Sequence, residues 1–250
     1  NNEKEGFWTD RLMSKLIVVD IQNPFNPVIK GSYEMDGTII DSRQVGDVIY
    51  LASTQDVYYW SECDLKEEYG VARTTLMSIN VADPVNIKKV DEVSLEGTAY
   101  TIYVSQRSIY IAAADYDNWK EGYSGKYPVT LFDISDPSGT IVKKCQFDAK
   151  GFMSDRWKMH EKDNVFVAVS TSSPEGAGIS MIESFDISDP ENVQPVGSLV
   201  FMEDQRLYGT RFDGGRMYAV TYFRQDPLHV IDINDPAEMK ELGQLQVPGW

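Results

Sequence analysis

Leu131-Phe132-Asp133-Ile134-Ser135-Asp136-Pro137 closes an apolar run, and variants of it close four others along the chain. They read Val19-Asp20-Ile21-Gln22-Asn23-Pro24, Ile79-Asn80-Val81-Ala82-Asp83-Pro84, Phe185-Asp186-Ile187-Ser188-Asp189-Pro190 and Ile231-Asp232-Ile233-Asn234-Asp235-Pro236. The prolines fall at 24, 84, 137, 190 and 236, so the steps are 60, 53, 53 and 46 residues. A repeat of that length marks an array of supersecondary units. Each apolar run must end before its proline, whose missing N–H cannot join a strand ladder. The aspartate one residue earlier can turn its carboxylate onto nearby backbone N–H groups, and proline sets φ for the corner. Five copies point to turn chemistry for these aspartates rather than to a ligand site, since one site has no use for a five-fold copy of its residues.

Between the copies lie short β-rich runs separated by turn signals, with helical periodicity absent. The predicted fold is all-β, a β-propeller of four-stranded antiparallel blades with about four and a half blades present. A half blade spans 15–35, and four blades span 38–94, 99–147, 152–202 and 207–247. The chain therefore starts on the third and fourth strands of a blade and ends on a fourth strand. That predicts an open arc, or part of a larger propeller whose remaining strands lie elsewhere in a longer chain.

With 250 residues, 42% of them hydrophobic and 12% aromatic, the chain can bury a large core. Its net charge of −16 opposes phosphate backbones and anionic lipid surfaces, which argues against nucleic acid. No apolar run approaches the roughly 18 residues of a membrane span, so no membrane insertion is expected. The chain opens Asn1-Asn2-Glu3 without Met, as a mature or excised fragment would. Cys63 and Cys145 show no metal-type spacing, and a bridge between them is left open.

Leu16-Ile17-Val18-Val19-Asp20-Ile21-Gln22-Asn23-Pro24 resembles an LVIVD repeat, and Asp41-Ser42-Arg43-Gln44-Val45-Gly46-Asp47-Val48-Ile49-Tyr50 resembles a DSR-x-x-GD-x-x-Y stretch. Tyr208-Gly209-Thr210-Arg211-Phe212 and Phe223-Arg224-Gln225-Asp226-Pro227-Leu228-His229-Val230-Ile231-Asp232 are similar to Y-x-x-RF and FRQ-x-DPL-x-VID. Together these resemble the secreted β-propeller proteins of bacteria and archaea that are distantly related to WD40 proteins. The sequence departs from that pattern at Asn80, where aspartate is usual, and at Gln225-Asp226, where one residue is missing. The resemblance implies an extracellular or cell-surface setting and carries no catalytic activity with it.

In such blades the second-to-third strand connections leave on one face, and the longest of them, 54–73 and 114–126, are the expected functional loops. Tyr58, Tyr59, Trp60, Tyr116 and Trp119 offer aromatic faces there, interleaved with acids, which suits a carbohydrate or a protein partner. Asp115 and Asp117 invite a calcium reading but lack the EF-hand glycine and third acidic ligand, so no cofactor is expected. Arg43 and Arg211 stand seven residues before Tyr50 and Tyr218 and are equivalent inner-strand positions. Each needs a carboxylate, with Asp41, Asp155 and Glu161 as the candidates, either as an ion-pair lining or as a ligand anchor.

No nucleophile elbow, HExxH motif or phosphate loop occurs, and the only histidines are His160 and His229. The sequence thus points to a non-catalytic extracellular binding module. The alternatives are a carbohydrate-active or other hydrolytic enzyme using Asp41, Asp155 and His160 at the channel mouth, and a purely structural domain of a longer surface protein.

Overall fold

The structure, a computed structural model, describes residues 6–7, 12–55, 58–60, 67–69, 73–113, 127–172, 178–222 and 226–247. They form two compact units. The first holds Asn1–Ala99, Gln106–Ser108 and Asp133–Val142, and the second holds Tyr100–Ser105, Ile109–Phe132 and Lys143–Trp250.

In the first unit the strands are β1 (Gly6–Phe7), β2 (Met13–Asp20), β3 (Val28–Asp36), β4 (Thr38–Val45), β5 (Val48–Gln55), β6 (Tyr58–Trp60), β7 (Glu67–Tyr69), β8 (Arg73–Asn80) and β9 (Lys88–Glu96). Strands β4-β5-β8-β9 make one antiparallel sheet, β2-β3 a two-stranded one, and β1-β6-β7 a third. The third sheet corrects the reading of 54–73 as a plain loop. Tyr59 and Trp60 pair with Phe7 and Gly6, residues too few and too irregular in pattern to announce a strand. Met35, Leu51, Met77 and Ile79 form this unit's core, with Leu16, Tyr33 and Ile49 packed around them.

The second unit carries β10 (Ala99–Val104, its first residue excepted), β11 (Ser108–Ala113, likewise), β12 (Tyr127–Asp133, save its last residue), β13 (Val142–Ala149, save its first), β14 (Met159–Lys162), β15 (Val165–Thr171), β16 (Gly178–Asp186), β17 (Gln194–Asp213), β18 (Arg216–Tyr222), β19 (Asp226–Asp232) and β20 (Lys240–Val247). Strands β10 to β13 pair in sequence order, and β14 to β20 form one seven-stranded sheet. That sheet joins two expected blades, because β17 runs unbroken for 20 residues through the end of one and the start of the next. Its two halves pair with β16 and β18. The inner strand of the blade expected over 152–202 starts later than the blade itself. Asp155 caps a short 3-10 helix, Arg156–Lys158, and the strand begins at Met159. Tyr110 stacks on Phe166 at 4.2 Å inside a core that includes Leu131, Met159 and Phe185. A second core gathers Val167, Ile182, Met217 and Ile231.

Every copy of the repeated corner contains two Asx turns. The first side chain accepts from the N–H two residues on: Asp20 from Gln22, Asn80 from Ala82, Asp133 from Ser135, Asp186 from Ser188 and Asp232 from Asn234, at 2.8–3.0 Å. Asn23, Asp83, Asp136, Asp189 and Asp235 do the same before the next bend. Asn80 shows that a neutral amide serves as well as a carboxylate at this position.

The corners then dock on the outer strands of the preceding repeat. In the first unit Ser78 Oγ donates to Gly139 O at 2.6 Å, and Asp91 Oδ2 accepts from Ile141 N at 2.8 Å. In the second, Ser184 Oγ donates to Pro236 O at 2.6 Å and accepts from Gly197 N at 2.9 Å. Gly31 and Gly197 lie so close to Pro84 O and Pro236 O that a β-carbon at either position would collide with the carbonyl.

The corner carboxylates link folding to pH. The Gln22 N–H and then the Lys30 ammonium hold Asp20 below its usual 3.8. Asp136 is held down by the Thr140 hydroxyl and the Ser138 N–H, Asp186 by the Ser188 N–H, and Asp232 by the Asn234 N–H. Lowered folded-state values mean stability that is present above the ordinary value and lost as pH falls through the folded ones. Glu183 runs the other way, since burial pushes its carboxyl up against the pull of the Lys150 N–H. The melting temperature is therefore expected to fall between about pH 5 and about pH 3. Replacing Asp20, Asp136, Asp186 and Asp232 together by Asn should flatten that fall, and an unchanged slope in pH-dependent calorimetry would show that the corners do not control acid lability.

Strand β2 presents an unusual apolar edge. Aligning the repeats on their corners matches Ile17 and Val19, 45% and 42% exposed, with Met77 and Ile79, 5% and 0% exposed. The same positions on β12, β16 and β19 are Thr130 and Phe132, Glu183 and Phe185, and His229 and Ile231, all buried. The equivalents lie inside four-stranded or larger sheets, whereas β2 pairs only with β3 among the described residues. An apolar edge strand promotes association. Ile17→Lys with Val19→Lys is expected to lower self-association in sedimentation velocity without changing the circular dichroism spectrum.

Candidate functional site

The described concave feature lies in the second unit, where the connection entering β14, the end of β15 and the middle of β17 meet. Gly151 allows the approach, because a β-carbon there would strike Ser170 Oγ and Thr171 O. Phe152 then bridges to the end of β15, its N–H donating to Thr171 O at 2.8 Å and its carbonyl accepting from Thr171 N at 3.0 Å. These contacts set one wall. Asp155 shapes the floor by accepting from Trp157 N at 2.9 Å, Ser154 Oγ at 2.9 Å and Lys158 Nζ at 3.2 Å. Lys158 is buried to 2% exposure, and Thr210 Oγ1 ties down Trp157 O at 2.6 Å.

The opposite wall is Arg206, Leu207 and Tyr208. Asp204 has a φ of 57°, in the left-handed region, where β17 changes partners. The register then slips between Leu207 and Gly209, which makes Tyr208 the extra residue of a bulge and leaves it 76% exposed. Phe152, Ser154, Lys158, Thr171, Arg206, Leu207 and Tyr208 enclose a cleft of about 150 Å3. Trp157, next in sequence to Lys158, is 59% exposed, with the Arg156 guanidinium 4.9 Å from the ring centroid. The cleft opens at the end of the sheet where β15 connects to β16, the end from which second-to-third strand connections leave.

Of the residues singled out from the sequence, Asp41 and Arg43 are brought together on β4 as an ion pair at 3.0 Å in the first unit. Asp155 finds Lys158 instead of an arginine. Arg211 is exposed on β17 and makes no ion pair among the described residues, so the expected carboxylate partner is absent there. Tyr58, Tyr59 and Trp60 form β6, but their side chains lie outside the described residues, as do Cys63, Asp115, Tyr116, Asp117 and Trp119 altogether. No group of three or more metal-ligating side chains is assembled among the described residues. Among them, too, no helix is long and apolar enough to cross a membrane.

His160 stacks on Phe212 at 4.7 Å, and burial, followed by the Lys162 charge, lowers its pKa. Its neighbour Glu161 points to the other face of β14, as alternation requires, so the two do not act as a pair. The Glu161 N–H donates to Tyr103 Oη at 3.2 Å, and burial raises the phenol's pKa.

A second polar group was not legible in the sequence. His229 Nδ1 lies 2.8 Å from Glu241 Oε1, its Nε2 3.5 Å from Thr221 Oγ1, and Thr221 Oγ1 donates to Gln205 Oε1 at 3.0 Å. Acid, imidazole and hydroxyl stand in the order of a hydrolase relay. Thr221 is 0% and His229 2% exposed, so a substrate has no route to the hydroxyl, and the network serves to hold β17 to β20 in register. Glu241→Ala, which strands a buried imidazole, should lower stability by about 1–3 kcal/mol. Urea denaturation checks this.

The family described as Beta propeller domain matches residues 1–69 and 56–250. An uncharacterized protein of Methanocaldococcus jannaschii is 29% identical over 136 residues, which are 54% of this chain and 20% of that protein. An uncharacterized protein of Archaeoglobus fulgidus is 38% identical over 61 residues, 24% of this chain and 10% of that protein. The matched stretches thus span at most a fifth of the length of these curated relatives. The crystal structure of Saccharomyces cerevisiae Sqt1 superposes with a TM-score of 0.50 at 8% identity, covering 86% of this chain and 63% of that one, a likeness of fold alone.

Proposed function

The chain belongs to the Beta propeller domain family, and from that premise we propose that it is a non-catalytic extracellular module that binds a carbohydrate or protein partner through the face where second and third strands connect. The cleft at that face is the observation that carries the reading. It sets Phe152, Leu207 and Tyr208 among hydroxyls and two cations, with Tyr208 exposed at 76%. Flat apolar rings with polar groups at their rim are the chemistry that recognises a sugar ring, which makes carbohydrate the better-supported partner.

The non-catalytic part rests on what surrounds the titratable groups. Asp155 is committed to three donors, and the relay at His229 is closed by burial. Binding to a panel of oligosaccharides, followed by calorimetry and by chemical-shift changes, tests the proposal. Tyr208→Ala, at an exposed lining position, is expected to weaken binding about tenfold, the loss of one aromatic contact, while leaving the melting temperature unchanged. Turnover of glycosides or esters by the purified protein would overturn the non-catalytic reading.

A further inference from the structure

We propose that the cleft is specific for a sugar unit carrying one anionic group, a carboxylate or a sulfate ester, with Lys158 and Arg206 as the cations that hold it. The inference rests on the carbohydrate reading and narrows it.

Lys158 is 2% exposed, yet its described partner is a single carboxylate oxygen, Asp155 Oδ2 at 3.2 Å. An ammonium has three N–H donors, so two are left without a partner among the described residues, in a lining position of the cleft. Buried donors without acceptors are costly, and an incoming anion would satisfy them. Asp155 already divides its two oxygens among Trp157 N, Ser154 Oγ and Lys158 Nζ. Across the cleft Arg206 is exposed and makes no ion pair among the described residues. Its planar fork matches an oxyanion, and Lys158 adds a point charge from a drier position.

The rest of the lining fixes the ligand class. Phe152, Leu207 and Tyr208 share the lining with the two cations, and such a mixture suits a ring with C–H faces better than a bare ion. Net charge limits the ligand further. At −16 the chain repels polyanions at long range, so the site favours a single anionic unit among neutral sugars over a continuously charged polymer.

Three disaccharides of the same backbone test this by isothermal titration calorimetry with the whole chain: one with a uronic acid unit, one with a sulfate ester in its place, and the neutral analogue. At least one anionic disaccharide should bind about tenfold more tightly than the neutral one, with affinity falling as salt is raised. The tighter of the two anionic sugars identifies the group. Arg206→Met, at an exposed position, should remove about tenfold of that preference, and Lys158→Met should do the same. Equal binding of charged and neutral sugars by the native chain and both variants overturns the inference and leaves the carbohydrate module standing. If the chain binds oligosaccharides of the wider panel but neither anionic disaccharide, the site lies elsewhere and the inference falls. If no sugar binds at all, both readings fall together.

Discussion

The packing of each Asp-Pro corner against the outer strands of the preceding repeat is the constraint on which the array depends. A propeller-type repeat cannot bury its apolar face alone, so the junctions between repeats decide whether the sheets hold. Here the junctions are made largely by backbone. Gly139 O and Pro236 O accept from Ser78 and Ser184, and the glycines at 31 and 197 remove the side chain that would hold the strands apart. The same corner supplies its own rigidity through paired Asx turns, so the docking surface is formed before it docks. Short polar side chains at two fixed positions thus specify both the end of a strand and the next contact in the array.

This economy explains why the fold was legible. Five copies of one corner can be recognised without knowing what any of them touches, and the run of four buried residues near the end of β8, β12 and β16 follows from the apolar run before each corner. What failed was the reading of segments without a repeat partner. Gly6–Phe7 pairs with β6 through two residues, too few to show a period. Residues 152–158 carry an apolar-polar mixture that suggests a strand, yet Ser154-Asp155 act as a helix cap and bend the chain before Met159. Capping geometry won over β-propensity.

The cleft was not legible in the sequence. The long connections 54–73 and 114–126 that the sequence singled out supply none of its lining residues. Its residues come from 152–158, 171 and 206–208, stretches with no common motif, and the two that matter most for charge meet only because Gly151 and the bulge at Tyr208 bring their backbones together. The Asp41–Arg43 pair was easier to foresee, since side chains two apart on a strand share a face. The glycine that follows Tyr208 was the single local sign of the bulge.

Strand β17 has a different consequence for how the second unit comes apart. Most repeat junctions are loops, which allow a terminal repeat to detach while its neighbour stays folded. Here the 20 residues of β17 belong to two repeats at once, with the change of partner just after Asp204. Each half keeps its own hydrogen-bonding partner, β16 for the first and β18 for the second, so the two repeats are coupled by the continuity of the chain and not by a common ladder. A cut at the point where β17 changes partners would leave two complete four-stranded sheets, one ending on the first half of β17 and the other beginning on its second half.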